Sequence, residues 1–185
     1  MAPEHREEEL LAVKETDFNP RLSAVLILLF HESEQLKVVF IRRSEYVGIH
    51  SGQIAFPGGR YEETDQDLLT TALREVEEEI GVNAGLIEVL GQLSDLYVPP
   101  SNFLVRAFVG YTNVRPEYVI DAREVQEVLE FDFTAFLSEN AVKVRNFNAH
   151  NIEKIIRAPS YEINGTIIWG ATAMILTELL DLINE

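Results

Sequence analysis

A strong chain breaker directly ahead of an amphipathic segment limits what this chain can fold into more than any other feature. Phe56-Pro57-Gly58-Gly59 ends a short apolar run that starts at Gln53, and a proline with two glycines continues neither a strand nor a helix. From Asp65 to Ile80, apolar residues recur with the period of a helix. Asp65 and Gly81 are the residue types expected at its N-cap and just beyond its C-terminus. The pattern predicts a strand, a tight turn and a helix over 65–80 in direct succession.

Strand-like runs surround this helix on both sides. The predicted strands cover 23–30, 36–42, 86–96, 103–111 and 125–131. Further helices are predicted over 3–15, 133–140 and 171–183. The first two strands are joined by a polar loop over 31–35, and Asn164-Gly165 is typical of a hairpin turn. Mixed strands with a few helices indicate an α+β or α/β fold. We expect one domain over 1–185, with residues 1–18 as a helical extension.

The absence of cysteine and the excess of acidic residues exclude several classes of protein. The 185-residue chain has no cysteine, which rules out disulfide frameworks, thiolate nucleophiles and cysteine-ligated zinc. Its 31 acidic residues against 15 basic ones give a formal net charge of −16, which repels nucleic acid and anionic membranes. The apolar run over 22–30 is far shorter than the roughly 20 residues that span a bilayer. Because the N-terminus also lacks a signal-peptide core, we expect a cytoplasmic protein without membrane or nucleic-acid partners.

Three carboxylates share one side of the predicted helix. Glu75, Glu78 and Glu79 fall within an arc of roughly 100° beside the apolar face, whereas Glu77 points elsewhere, toward water. Neighbouring like charges destabilise a helix by about a few tenths of a kcal/mol per pair, and a bound divalent cation reverses that effect. Oxygen ligands alone favour Mg²⁺ or Mn²⁺. The alternative is a solvated acidic face on a protein that is acidic throughout.

The residues around these carboxylates resemble the Nudix box, whose pattern is G-x5-E-x7-R-E-U-x-E-E-x-G-U, where U is aliphatic. Its second half is complete in Arg74, Glu75, Val76, Glu78, Glu79, Gly81 and Val82. Its first half departs from the pattern, because Asp65 stands where the glutamate is expected after Gly59. Eight residues, instead of seven, then separate Asp65 from Arg74.

The segment ahead of the turn is similar to the Nudix subfamily that hydrolyses coenzyme A. That subfamily has the same extra residue, often with aspartate at that position, and an upstream signature close to R-S-x5-H-x-G-Q-x-x-F-P-G-G. Every fixed position is filled here, by Arg43, Ser44, His50, Gly52, Gln53 and residues 56–59. The resemblance extends from about Pro20 to Ile175. It implies cleavage of coenzyme A or acyl-CoA into 4′-phosphopantetheine, or its acyl form, and adenosine 3′,5′-bisphosphate.

The resemblance also implies a fold and a metal site. The fold is a mixed β-sheet between helices, an α/β/α sandwich, in which a loop–helix–loop binds Mg²⁺ or Mn²⁺. Glu75 and Glu79 are implied to be the principal metal ligands, joined by the backbone carbonyl of Gly58 or Gly59. Glu78 is implied to be a third ligand or to act through water. Arg74 is implied to orient a box glutamate; the alternative is a surface ion pair with Glu78, one helical turn away.

The general base in this family lies in the box or in a distant loop. The candidates are therefore Glu78, and Glu124 or Glu127 in the segment 121–127. A carboxylate in either place would take the proton of the attacking water. The alternative for Glu124 and Glu127 is that both are solvated residues at the end of a strand.

Cationic and polar residues that flank the box are candidates for substrate binding. They are Arg43, His50, Gln53 and Arg60. Arginine matches phosphate by bidentate hydrogen bonds, so one arginine would bind the 3′-phosphate of coenzyme A. His50 equally fits a turn-stabilising role, and the Gln53 amide serves either purpose. Tyr97 and Phe103 would stack an adenine or belong to the core.

Three functions fit the sequence. The first is an Mg²⁺- or Mn²⁺-dependent pyrophosphatase for coenzyme A or its thioesters. The second is a Nudix pyrophosphatase for ADP-ribose, NADH or a dinucleoside polyphosphate, because loops outside the box set the substrate. The third is a non-catalytic Nudix ligand sensor or protein-binding module, against which the intact box glutamates count. The expected partner is a small nucleotide-containing molecule. The apolar last helix either forms a homodimer or covers the sheet.

Overall fold

The computed structural model describes residues 1–3, 6–11, 18–44, 52–148 and 155–184. Within these residues the helices are α1 Arg6–Leu11, α2 Leu68–Ile80 and α3 Gly170–Ile183. The first strands are β1 Arg21–Glu32, β2 Gln35–Arg43, β3 Ile54–Ala55, β4 Gly58–Arg60, β5 Glu88–Gln92 and β6 Leu96–Val98. The later strands are β7 Phe103–Thr112, β8 Val125–Asp132, β9 Val142–Asn148, β10 Ile155–Ile163 and β11 Thr166–Trp169.

β1 lies at the centre of the larger sheet. It pairs in parallel with β7 and antiparallel with both β2 and β4. The strand order is β3-β2-β1-β7-β5, with β8 added to β2 and β6 added to β7. A smaller antiparallel sheet has the order β11-β10-β9. β4 therefore lies beside the first half of β1, just before the chain enters α2.

The larger sheet is covered on both faces, and for this reason β1 is apolar along most of its length. Leu26 belongs to the buried cluster that includes Val76 of α2. Ile27, on the opposite face, belongs to the cluster that includes Leu176 of α3 and residues of the smaller sheet. A mixed sheet between helices is the α/β/α arrangement that the sequence predicted.

The structure corrects the loop predicted over 31–35 and describes only part of the predicted N-terminal helix. The loop predicted over 31–35 is wrong, because β1 and β2 stay paired up to Glu32 and Gln35. Only two residues turn, with Ser33 at a positive φ of 57°. The polar side chains around the turn are exposed at the strand ends. The backbones of these residues can therefore pair while their polar side chains stay in solvent. The N-terminal helix predicted over 3–15 is described over Arg6–Leu11, and Pro3 is not helical. Residues 4–5 and 12–17 lie outside the described part.

The N-cap predicted for the box helix is wrong. Asp67, not Asp65, caps α2 and accepts a 2.7 Å hydrogen bond from the Thr70 N–H. Asp65 is buried and binds other residues described below. Both aspartates precede the apolar period, so propensity alone did not separate them. The C-terminal prediction is confirmed, because Gly81 takes the left-handed conformation with φ 74°.

The helix predicted over 133–140 consists instead of two 3₁₀ turns, Phe133–Leu137 and Glu139–Ala141. Ser138 lies between them in an extended conformation, and its side chain accepts a hydrogen bond from the Asn140 N–H. Such a local side-chain bond competes with helix formation. The strand predicted over 86–96 is divided between β5 and β6, and the buried Leu93 lies between them.

The C-terminal third matches its prediction more closely. Asn164 and Gly165 turn between β10 and β11 with φ values of 50° and 82°, as a two-residue hairpin requires. α3 follows, and Trp169 at its start stacks on Phe147 at 4.1 Å between ring centroids. Among the described residues, no helix combines the length and the apolar character needed to cross a membrane.

Candidate metal centre

The turn between β3 and α2 places two glycines directly against two glutamates of the helix. The Gly58 N–H donates a 2.8 Å hydrogen bond to Oε2 of Glu79. A Cβ on Gly59 would lie 2.3 Å from Oε1 of Glu75, and one on Gly58 would lie 2.3 Å from the backbone oxygen of Ala24. Side chains at these positions would collide with their neighbours, so glycine is required for the helix to approach the sheet this closely.

A second segment, residues 119–124 just before β8, is hydrogen-bonded to the C-terminal end of α2. The Asp121 N–H donates to the Glu79 carbonyl at 3.0 Å, and the Val119 N–H donates to the Ile80 carbonyl at 2.9 Å. These carbonyls have no partner within the helix. On its other side the segment binds β2, because the Ser44 N–H donates to the Glu124 carbonyl at 2.8 Å. Glu124 is thereby held beside the helix.

Glu75, Glu79 and Glu124 form one carboxylate cluster. One carboxylate oxygen from each lies within 4.8 Å of the others. Glu75 and Glu79 are buried, whereas Glu124 is exposed. Carboxylate oxygens from three residues are the kind of ligand that a hard cation such as Mg²⁺ would take. The cluster is the only such group of three found among the residues that the structure describes.

The electrostatics of this cluster favour a bound cation. Oε1 of Glu79 is buried and has no hydrogen-bond partner. Burial raises the pKa of Glu79 to about 8, against the Gly58 N–H and the charge of Arg43, while Glu75 and Glu124 add to the rise. Burial also raises the pKa of Glu75, opposed by Arg74. An unpartnered buried oxygen among like charges fits a hard divalent ion such as Mg²⁺ or Mn²⁺.

Arg74 ties the helix to the turn. Its guanidinium donates to both Asp65 oxygens at 2.9 and 3.0 Å, and to Oε1 of Glu75 at 2.9 Å. It also donates to Glu78 at 2.9 Å and to the Arg60 carbonyl at 3.1 Å. Both alternatives weighed for Arg74 are therefore present, because it contacts a cluster glutamate as well as the i+4 surface glutamate.

Asp65 is the residue whose role sequence reasoning missed. Hydrogen bonds from Arg74, opposed by burial, hold the pKa of Asp65 well below its usual range. Asp65 also accepts from the Thr71 hydroxyl at 2.8 Å and the Glu62 N–H at 3.0 Å. The available signal was its position, since the box pattern has an acidic residue there.

The remaining predicted metal and base residues lie at different distances from the cluster. Glu78 is exposed and turned toward Arg74, outside the group of three. The Gly59 carbonyl accepts a 2.7 Å hydrogen bond from the Ser23 hydroxyl. Glu127 forms an ion pair with Arg42. Of the two loop candidates for a base, the structure brings Glu124 to the cluster and leaves Glu127 away from it.

The predicted substrate residues that the structure describes are Arg43, Gln53 and Arg60. Nη1 of Arg43 lies 3.5 Å from Oε1 of Glu79, whereas the Arg60 side chain is exposed. The Gln53 carbonyl accepts a hydrogen bond from the Arg43 N–H at 3.0 Å. His50 lies outside the described residues.

The two aromatic residues proposed to stack an adenine have partners within the chain. The Arg21 guanidinium covers the Phe103 ring at 4.1 Å from its centroid. Tyr97 meets Phe18 edge to face at 5.1 Å, and its hydroxyl donates to Asn102 at 3.0 Å.

Comparisons with known proteins agree with this fold. The family model described as NUDIX domain matches residues 20–157. Nudix hydrolase 22, chloroplastic, of Arabidopsis thaliana is 33% identical over 91% of this chain, which spans only 63% of that protein's length. The protein named uncharacterized Nudix hydrolase NudL of Yersinia pestis is 33% identical over 86% of this chain and 78% of its own length.

Solved structures resemble the fold at low sequence identity. A MutT/nudix family protein from Enterococcus faecalis superposes with a TM-score of 0.60 at 17% identity, covering all of this chain and 76% of that one. The NUDIX domain of Shewanella oneidensis NrtR, solved with ADP ribose, gives a TM-score of 0.53 at 22% identity, covering 71% of this chain and 86% of that one. The family model and the curated relatives together show that the chain belongs to the Nudix hydrolase family.

Proposed function

We propose that the chain hydrolyses a diphosphate bond in a nucleoside diphosphate-linked compound, and that coenzyme A or acyl-CoA is its substrate. The observation that carries the first part is the carboxylate cluster of Glu75, Glu79 and Glu124 on a Nudix fold. Family membership supports hydrolysis of this class of compound. The choice of coenzyme A is supported by the Arg43-to-Gly59 signature in the sequence.

In this proposal the two buried carboxylates bind the metal and the exposed carboxylate is the general base. Glu75 and Glu79 hold a divalent cation, Mg²⁺ or Mn²⁺, and the Arg74 and Gly58 hydrogen bonds fix their orientation. When bound, such an ion neutralises the diphosphate and makes water more acidic. Glu124 takes the proton of the attacking water, because it is exposed to solvent and close to both buried carboxylates.

The reaction adds water across the diphosphate of the substrate. The water oxygen forms a new bond to one phosphorus, and the bridging oxygen leaves with the other. From coenzyme A the products are 4′-phosphopantetheine and adenosine 3′,5′-bisphosphate. The exposed Arg60 next to the glycine turn is proposed to bind a substrate phosphate, a task for which guanidinium is suited.

The second candidate function is hydrolysis of ADP-ribose. The observation that favours it is the Shewanella NUDIX domain, which was solved with ADP ribose and shares this fold. A sensor without catalysis is the third, and it is disfavoured because the box carboxylates are intact. A cytoplasmic location, one domain over 1–185 and a homodimer stay predictions.

The test is a substrate panel read by mass spectrometry. Coenzyme A, ADP-ribose, NADH and a dinucleoside polyphosphate are each incubated with the protein and Mg²⁺ or Mn²⁺. We expect adenosine 3′,5′-bisphosphate and 4′-phosphopantetheine to appear fastest, and no product in EDTA. Faster cleavage of another compound would refute the coenzyme A assignment. No cleavage of any compound by folded protein would favour the non-catalytic sensor or a substrate outside this panel.

A further inference from the structure

Arg43 reaches the carboxylate cluster because it lies on the face of β2 that α2 covers. Val39 and Ile41, which precede it on that face, belong to the buried cluster that includes Val76 of α2. Successive side chains of a strand point to opposite faces. Arg42 stays on the outside and pairs with Glu127, whereas Arg43 turns inward toward Glu79. Two adjacent arginines thus have opposite surroundings.

The contact between Arg43 and Glu79 is loose for a buried ion pair. Nη1 of Arg43 lies 3.5 Å from Oε1 of Glu79, and that oxygen has no hydrogen-bond partner. Nε of Arg43 is also buried without a partner. By contrast, Arg74 binds Asp65 with two hydrogen bonds of 2.9 and 3.0 Å. The Arg43 contact therefore supplies charge without the hydrogen bonds that make such pairs strong.

We propose that Arg43 is a positioning residue that competes with the divalent cation for Glu79. Its charge favours the ionised form of this carboxylate when no cation is bound, and it gives up the contact when one binds. This inference rests on the metal site of the proposed function. Since Arg43 and a cation carry like charges against the same carboxylate, each weakens the binding of the other.

Once the cation has displaced it from Glu79, the Arg43 guanidinium is free to bind the substrate. Its buried Nε has no hydrogen-bond partner, and the side chain lies beside the carboxylates proposed to hold the cation. Arginine binds such oxyanions by its planar fork. Arg43 would therefore contribute to substrate affinity only after the cation has displaced it from Glu79. Metal binding and substrate binding are coupled through this one side chain.

The test measures Mn²⁺ affinity by electron paramagnetic resonance in Arg43→Gln and in the matched control Arg42→Gln, which removes the same charge one residue away. We expect Arg43→Gln to bind Mn²⁺ more tightly, on the order of tenfold, and Arg42→Gln to bind it like the wild type. Weaker or unchanged binding in Arg43→Gln would overturn the proposal. Wild-type protein that binds no Mn²⁺ would overturn the metal site, and with it this inference.

Two further measurements separate competition from a merely structural role. In Arg43→Gln, Mn²⁺ should raise the Tm by more than it raises that of the wild type, because no arginine charge competes with the cation for Glu79. A structural role predicts an equal rise. Arg43→Gln should also increase KM more than it lowers kcat. Arg43→Lys keeps the charge and should fold if Arg43→Gln does not; its Mn²⁺ affinity should lie closer to the wild type.

Discussion

Gly59 lies so close to Glu75 that no side chain fits between them. An added Cβ would be 2.3 Å from Oε1 and 2.4 Å from the carboxyl carbon of Glu75. The position of the carboxylate therefore depends on the absence of a side chain in β4. This relationship explains in steric terms why a glycine precedes the box helix.

Gly59→Ala should displace the Glu75 carboxylate and weaken Mn²⁺ binding. The clash involves the side-chain end of Glu75, so we expect the chain to fold while metal affinity and kcat both fall at least about tenfold. Gly91→Ala is the matched control, since a Cβ there meets nothing within 4 Å. Normal Mn²⁺ affinity in Gly59→Ala would show that Glu75 is not held where the cation binds.

Asp65→Asn should destabilise the protein at neutral pH. It removes the charge that binds Arg74 in a buried contact, at a cost of roughly 3 kcal/mol in the free energy of unfolding. Urea denaturation measures this. Asp67→Asn is the control, because asparagine also serves as an N-cap. Equal stability of the two variants would contradict the role given to Asp65.

The cost of Asp65→Asn should depend on pH. The pKa of Asp65 is lowered in the folded protein, so the ionised carboxylate stabilises the fold above the unfolded value of 3.8. That contribution is lost as the pH falls toward the lower folded pKa. The stability gap between wild type and variant should therefore be full at pH 7 and narrow below about pH 4. A gap that is constant down to pH 2 would contradict the charged contact.

Glu124→Gln should abolish turnover while leaving the fold and much of the metal affinity. Its carboxylate is the exposed member of the cluster, and loss of a general base costs about 100-fold or more in kcat. Glu127→Gln, which removes only the exposed pair with Arg42, is the control. If kcat falls equally in both variants, the assignment of the base to Glu124 is wrong.

Glu78→Gln should have a smaller effect than a substitution inside the cluster. Glu78 is exposed and pairs with Arg74, which keeps Asp65 and Glu75 as partners. We expect a fall in kcat/KM below about tenfold. Glu77→Gln, on the solvent side of the same helix, should have no effect. A total loss in Glu78→Gln would restore Glu78 to the metal site.

Much of this fold was accessible from the sequence because the signals were local. The helical period of 65–80, the breaker at 57–59 and the Asn164-Gly165 turn each depend on neighbouring residues. Periodicity predicted the side of α2 that carries Glu75 and Glu79. Asp65 was placed wrongly because its partner, Arg74, is nine residues away, and propensity favours Asp65 and Asp67 equally as caps.

The parts of the site that were not predictable depend on contacts between distant segments. Glu124 and Glu127 were equal candidates from the sequence. Only the hydrogen bonds from Asp121 to the end of α2 and from Ser44 to Glu124 separate them. The contact of Arg43 with Glu79 joins β2 to α2, which no residue pattern indicated.

Mn²⁺ binding to Glu79→Gln tests the central claim most directly. Glu79 is the most buried member of the cluster, and an amide keeps its size and an oxygen while removing the charge. Isothermal titration calorimetry with wild type, Glu79→Gln and Glu77→Gln, each shown to be folded by circular dichroism, compares the three. We predict saturable Mn²⁺ binding and diphosphate hydrolysis in the wild type and in Glu77→Gln, and the loss of both in Glu79→Gln. Unchanged Mn²⁺ binding in folded Glu79→Gln would contradict the assignment of this cluster as the metal centre.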